Sequence, residues 1–172
     1  MKLRALVKKF WAVSVFAAAA GCFEPEIAAV RDFDPARYMG KWYEIARLPN
    51  WFEKGMTRVT AEYTLLEDGT IRVENRGIKN GRESGVTGVA RLKGDADVGE
   101  LEVSFFRPFY GDYRIIRLAP DYSCSVVMGS DRDYLWVLAR TPEIPEEEFV
   151  RILAFLRENG FAVDDLIYPY AD

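Results

Sequence analysis

Between residues 41 and 140 the chain alternates apolar and polar side chains with a period of two, in short runs broken by turn residues. Ile71, Val73 and Asn75 oppose Arg72, Glu74 and Arg76, and Leu101, Val103 and Phe105 oppose Glu100, Glu102 and Ser104. Such alternation describes strands with one wet and one dry face. The breaks are Asp68-Gly69, Asn80-Gly81, Gly94-Asp95-Ala96-Asp97, Pro108-Phe109-Tyr110-Gly111, Ala119-Pro120-Asp121 and Gly129-Ser130-Asp131, all turn-forming sequences. Runs near 41–48, 56–66, 70–79, 83–93, 98–106, 112–118, 122–128 and 134–140 therefore predict eight strands joined as antiparallel hairpins, with no helix between them. Eight strands can close into an up-and-down β-barrel, although counting alone also admits an open sandwich.

Beyond Arg140 the period changes. Pro145 suits a first helical turn, Glu146, Glu147 and Glu148 suit its positive end, and Phe149, Ile152, Leu153 and Leu156 recur at helical spacing. Gly160 after Asn159 marks the stop. This predicts one amphipathic α-helix over 145–159, packed outside the sheet, and a short final strand at Leu166-Ile167-Tyr168.

Composition narrows the chemistry. The chain has 172 residues and no histidine, which excludes a Ser-His-Asp triad, a Cys-His pair and a His-ligated metal site; no metal or cofactor is expected. Residues 1–21 hold Lys2, Arg4, Lys8 and Lys9 and no acid; the rest carries 19 basic and 27 acidic side chains, a net −8 that argues against a nucleic-acid partner. The basic start, followed by an apolar run from Phe10 to Ala20, reads as a targeting segment too short for a membrane span. Its end, Ala19-Ala20-Gly21-Cys22, resembles the lipobox of bacterial lipoproteins, with Ala19 where that box prefers leucine. The resemblance implies a signal peptide over 1–21, lipidation of Cys22 and a tether over 22–36 carrying Pro25 and Pro35; an ordinary cleaved secretory signal is the other reading. Phe23, in place of an aspartate, favours sorting to the outer membrane, with the domain facing the periplasm. Lipidation of Cys22 leaves Cys124 without an intrachain partner, as a small apolar residue in a strand.

Three blocks carry a second resemblance. Gly40-Lys41-Trp42-Tyr43-Glu44-Ile45-Ala46 resembles the Gly-x-Trp entry to the first strand of lipocalins, and Tyr38-Met39, Pro49-Asn50 and Phe52-Glu53 are closest to the bacterial lipocalins of the outer-membrane lipoprotein type. Asp131 to Arg140 resembles the second lipocalin block, and Phe105 to Gly111 the third. The likeness implies a domain over 37–172 built as an eight-stranded antiparallel barrel. Within it Gly40, Trp42 and Arg140 close one end, the guanidinium lying over the indole. An outer-membrane barrel with its apolar face outward is disfavoured, since the strands lack flanking aromatic girdles and a core-seeking helix follows them.

With the apolar face inward, parity names the lining. If Arg140 points in, Leu138, Trp136 and Tyr134 share its face. Expected ligand contacts are Val59, Tyr63, Val73, Asn75, Ala90, Val103, Phe105, Tyr113, Trp136 and Leu138, the same positions serving as packing where the barrel is filled. Gly88 and Ala90 are expected to leave volume beside Trp136 and Phe105; over 112–118, parity admits Tyr113 with Ile115 or Ile116 with Leu118, and the resemblance favours Tyr113. Trp51 and Phe52 are placed at the mouth, where Tyr113 and Arg107 are candidates to orient a headgroup. The expected function is binding of a small hydrophobic molecule, a fatty acid or lysophospholipid as the family suggests, without catalysis. An enzyme on the same fold, an isomerase or one acting on polyenes, is the alternative, and the sequence leaves a homodimer open.

Overall fold

The computed structural model describes residues 26–170. Eight strands follow one another round a closed antiparallel barrel: β1 (Gly40–Arg47), β2 (Met56–Leu65), β3 (Ile71–Lys79), β4 (Arg82–Leu92), β5 (Glu100–Phe106), β6 (Phe109–Leu118), β7 (Cys124–Met128) and β8 (Leu135–Ala139), with β8 pairing back to β1. The closed barrel removes the open-sandwich alternative. A short helix α1 (Pro35–Tyr38) precedes β1, and helix α2 (Glu146–Glu158) follows β8. β6 begins earlier than its alternation suggests, because the turn before it shrinks to Arg107 and Pro108. The short final strand reduces to a single bridge between Ile167 and Arg47, after a 3-10 turn at Val163–Asp165.

Two apolar layers share the sheet. The inner one gathers Trp42, Ala61, Tyr63, Ile71, Val73, Ala90, Leu101, Ile115, Val127 and Leu138 inside the barrel. The outer one lies between the sheet and α2, where Ile152 and Leu156 meet Cys124, Val126, Met128, Leu135 and Val137. β7 and β8 are therefore apolar on both faces, and Cys124 is a buried thiol of the outer layer.

Bulges re-aim side chains where alternation misleads. One between Glu44 and Ala46 turns both Glu44 and Arg47 inward, opposite Leu138 and Trp136. Another between Ile115 and Arg117 packs Tyr113, Ile115 and Leu118 with the inner layer and Ile116 with the outer. Tyr113 and Ile115 thus both face inward, and of the other pair only Leu118 does. The β4–β5 ladder is short: it pairs only Val89–Leu92 with Leu101–Ser104, so β4 from Arg82 to Gly88 is held by β3 alone.

The ends of the barrel differ. Turns 66–70, 93–99 and 119–123 lie at the end that Trp42 closes. Its indole N–H donates to the Tyr38 carbonyl (2.8 Å) and the Arg140 guanidinium sits 3.8 Å above the ring. Arg140 in turn donates to the carbonyls of Arg37 (2.8 Å) and Lys41 (3.0 Å). Gly40, at φ +90°, brings β1 past this guanidinium; a Cβ there would lie 3.5 Å from Nη1 on a backbone that L side chains rarely adopt. Gly40, Trp42 and Arg140 thus lie together at this end. The segment expected as a tether is packed as well: Phe33 is buried and Val30 bonds to Gly99 and Ile115. Cys22 and the segment over 1–21 lie outside the described residues.

Candidate functional site

The other end of the barrel carries loops 48–55, 80–81, 107–108 and 129–134, and the interior below them is the candidate site. Its floor is a chain of hydroxyls. Tyr113 is hydrogen-bonded to Tyr38 (2.8 Å) and Tyr63 (2.9 Å), and Tyr38 also meets Ser125 (3.2 Å). Burial pushes Tyr38 up to about 12 and raises Tyr63 and Tyr113 as well, so all three stay protonated and bind one another as neutral groups. Tyr113 points inward, yet its hydroxyl is engaged by two others deep in the barrel, and it is not placed to orient a headgroup at the mouth. Arg107 is exposed in the β5–β6 turn and does not enter the interior.

Above that floor, on the β1 and β8 side, lies a charged cluster that parity missed. Arg47 is fully buried; it donates to the Glu44 carboxylate at 2.5 Å and to the carbonyls of Glu53 and Met56 at 3.0 and 3.1 Å. Glu53 comes down from loop 48–55, accepts from the Trp136 indole N–H (3.0 Å) and the Asn50 amide (2.6 Å), and is itself buried. Two carboxylates thus share one guanidinium. Desolvation, then the Glu53 charge, pushes Glu44 up to about 8, against the opposing pull of Arg47. The hidden signal was local: Glu44 shares parity with Trp42, but Arg47 reaches the same face only through the bulge.

The remaining predicted residues spread over the inner wall. Val59, Tyr63, Val73, Ala90 and Leu138 are buried there, while Asn75, Val103, Tyr113 and Trp136 are half-buried and Phe105 is exposed. Gly88 does not leave free volume: a Cβ there would meet the Phe105 ring and the Ser104 carbonyl at 2.6 Å, so the ring already fills that place. Open space lies instead at Gly111, opposite Val103, where a Cβ would meet nothing within 4 Å. The Asn75 Oδ1 is buried without a hydrogen-bond partner, an acceptor on the inner wall that a donor would satisfy. Over the mouth, Phe52 lies 6.4 Å from Tyr134 and 6.3 Å from Trp136, and Trp51 stands edge-on to it.

A barrel plugged at one pole by an arginine-capped tryptophan, roofed at the other by aromatic loops and lined with apolar side chains is a calyx. Proteins of this design enclose small molecules. The lipocalin-like domain family matches residues 33–171, and the chain belongs to it. It is 46% identical over 144 residues to the outer membrane lipoprotein Blc of Citrobacter freundii, covering 83% of this chain and 81% of that protein. The Vibrio cholerae protein of the same name is 41% identical over 153 residues, covering 86% and 90%. Among solved structures, insecticyanin from Manduca sexta superimposes with a TM-score of 0.69 at 20% identity, covering 86% of each chain.

Proposed function

We propose that this chain is a lipid-anchored outer-membrane lipocalin that holds one small hydrophobic molecule, a fatty acid or lysophospholipid, in the upper half of its barrel. The observation that carries the reading is the asymmetry of the inner wall. Its lower half is filled by Trp42 and the tyrosines, whereas above it Asn75, Val103 and Trp136 are only partly buried and Gly111 leaves open space beside its backbone. Burial of an acyl chain supplies roughly 0.8 kcal/mol per methylene, ample for tight retention. The names of the relatives, outer membrane lipoproteins, support the anchor at Cys22 and a periplasmic position. Nothing in this reading requires chemistry on the ligand. Cys124 faces the helix layer, and burial pushes its thiol up to about 11.

Mass spectrometry of lipid extracted from the purified protein tests the proposal. A stoichiometric acyl lipid, recovered unchanged after prolonged incubation, is the expected result. Absence of any apolar ligand, together with no saturable uptake of added fatty acid or lysophospholipid, refutes it. The enzyme reading retains one supporting observation, the interior carboxyl of Glu44 at about 8, and a ligand recovered chemically altered would decide for it.

A further inference from the structure

The three most exposed large apolar side chains among the described residues are Trp51, Phe106 and Phe109, at 79%, 78% and 72%. Trp51 stands in the β1–β2 loop and the two phenylalanines flank the β5–β6 turn, so all three belong to the open end. At the closed end the comparable pair, Leu65 and Leu66, is 48% and 38% exposed. Rings left so far out of the core make an unpartnered apolar surface. Lys54, Lys79, Arg82 and Arg107 stand on the same end, in or beside its turns, together with the acids Glu83, Asp131 and Asp133. Aromatic rings beside cations match the headgroup region of a bilayer that contains anionic lipid.

The path of the N-terminal segment adds an independent observation. Phe33 is held at the closed end by the Asp97 carbonyl, Val30 lies between Gly99 and Ile115, and Glu26 reaches Arg114. Glu26 and Ile27 share a groove with Ser130 to Asp133, the loop between β7 and β8 at the open end. Followed back toward its start, the chain climbs the outside of the barrel toward the mouth. Cys22 is four residues further on, a reach of about 14 Å when extended. An anchor there leaves the protein beside the open end.

We infer that the open end is the membrane-facing surface: Trp51, Phe106 and Phe109 enter the headgroup region of a bilayer containing anionic phospholipid, and the barrel exchanges its ligand with that leaflet. This deepens the lipid-carrier reading and rests on it. A second copy of the chain is the poorer occupant, because Trp51 and the two phenylalanines stand on opposite sides of the rim, spread as for a broad plane and not gathered into one compact patch.

The test uses the chain from residue 22 onward with Cys22→Ser, which keeps every described residue and removes the acceptor thiol. Vesicles of phosphatidylethanolamine and phosphatidylglycerol, with and without brominated acyl chains, are the probe. Sedimentation with the vesicles is expected, with a blue-shifted, bromine-quenched emission that Trp51→Phe removes. The triple variant Trp51→Ser, Phe106→Ser, Phe109→Ser is expected to partition at least tenfold more weakly with an unchanged melt, whereas Leu65→Ser with Leu66→Ser binds as the parent does. Failure of the parent to bind, equal binding by the triple variant, or equal loss in the Leu65 and Leu66 variant overturns the inference. So does a vesicle-independent dimer that the triple variant dissolves. Ligand uptake is measured in parallel without vesicles: its survival with no vesicle binding sinks the orientation alone, and its absence sinks the carrier reading.

Discussion

Replacing Glu44 by glutamine removes one ionisable group from a buried cluster while keeping its shape and its acceptor for Arg47. The folded carboxyl is raised from 4.5 to about 8 by desolvation and by Glu53, so between those values the folded protein holds a proton that the unfolded chain has released. Stability from this group is therefore full below about pH 4.5 and is lost as pH rises through 8. At about 1.4 kcal/mol per pH unit, the rise from 4.5 to about 8 sets a ceiling of about 5 kcal/mol on that loss, of which about 2–3 kcal/mol is expected once the surroundings relax around the new charge. Urea melts at pH 5, 7 and 9 measure it. Parent and Glu44→Gln are expected to match at pH 5, and the variant to be the more stable of the two at pH 9 by that amount. Parallel curves, or a parent that gains stability relative to the variant as pH rises, would refute the argument.

Trp42→Ala should open a void at the closed pole and strip Arg140 of its ring, lowering stability by about 3–5 kcal/mol in a chemical melt; a loss below about 1 kcal/mol would show that the plug is dispensable. Trp136, half-buried beneath the mouth, should report ligand directly. Saturable quenching or shift of emission by a long-chain fatty acid in the parent, much reduced in Trp136→Phe, is expected, and an identical response in both proteins removes Trp136 from the site. Cys22→Ser in the full chain should replace firm membrane retention by at most the weaker, reversible binding of the rim, without unfolding the domain, and retention as firm as the parent's would contradict the lipoprotein reading.

Much of the architecture was legible because a two-residue period survives over most of β2 to β5 and the turn residues punctuate the chain. The closing residues were legible for a different reason: tryptophan and arginine at the two chain-distant ends of the β1–β8 seam make sense only if the seam closes. What alternation concealed were the bulges. Arg47 reads as outward by simple counting, and the extra residue after Glu44 is recorded in contacts across the sheet, not in the order of side chains. The charged cluster was lost with it, since Glu53 joins through a loop whose path depends on Arg47 and Trp136. Gly88 shows the opposite error: a small residue was read as free volume, when its smallness admits the ring of Phe105. Tyr113 was correctly faced inward, but only the neighbouring hydroxyls of Tyr38 and Tyr63 decide what its own hydroxyl can do.

The short ladder between β4 and β5 divides the wall into parts of unequal firmness. On the β7–β8 side the two strands are paired with each other along their whole length and backed by helix α2. On the far side Arg82 to Gly88 of β4 form no ladder with β5. Thermal opening concentrates where cross-strand bonds are fewest, so this flank breathes while the helix-backed flank stays still. A long flexible guest would meet its most yielding wall on this flank, so the length that the barrel could accept would depend on how far β4 and β5 part and not on the height of the barrel alone.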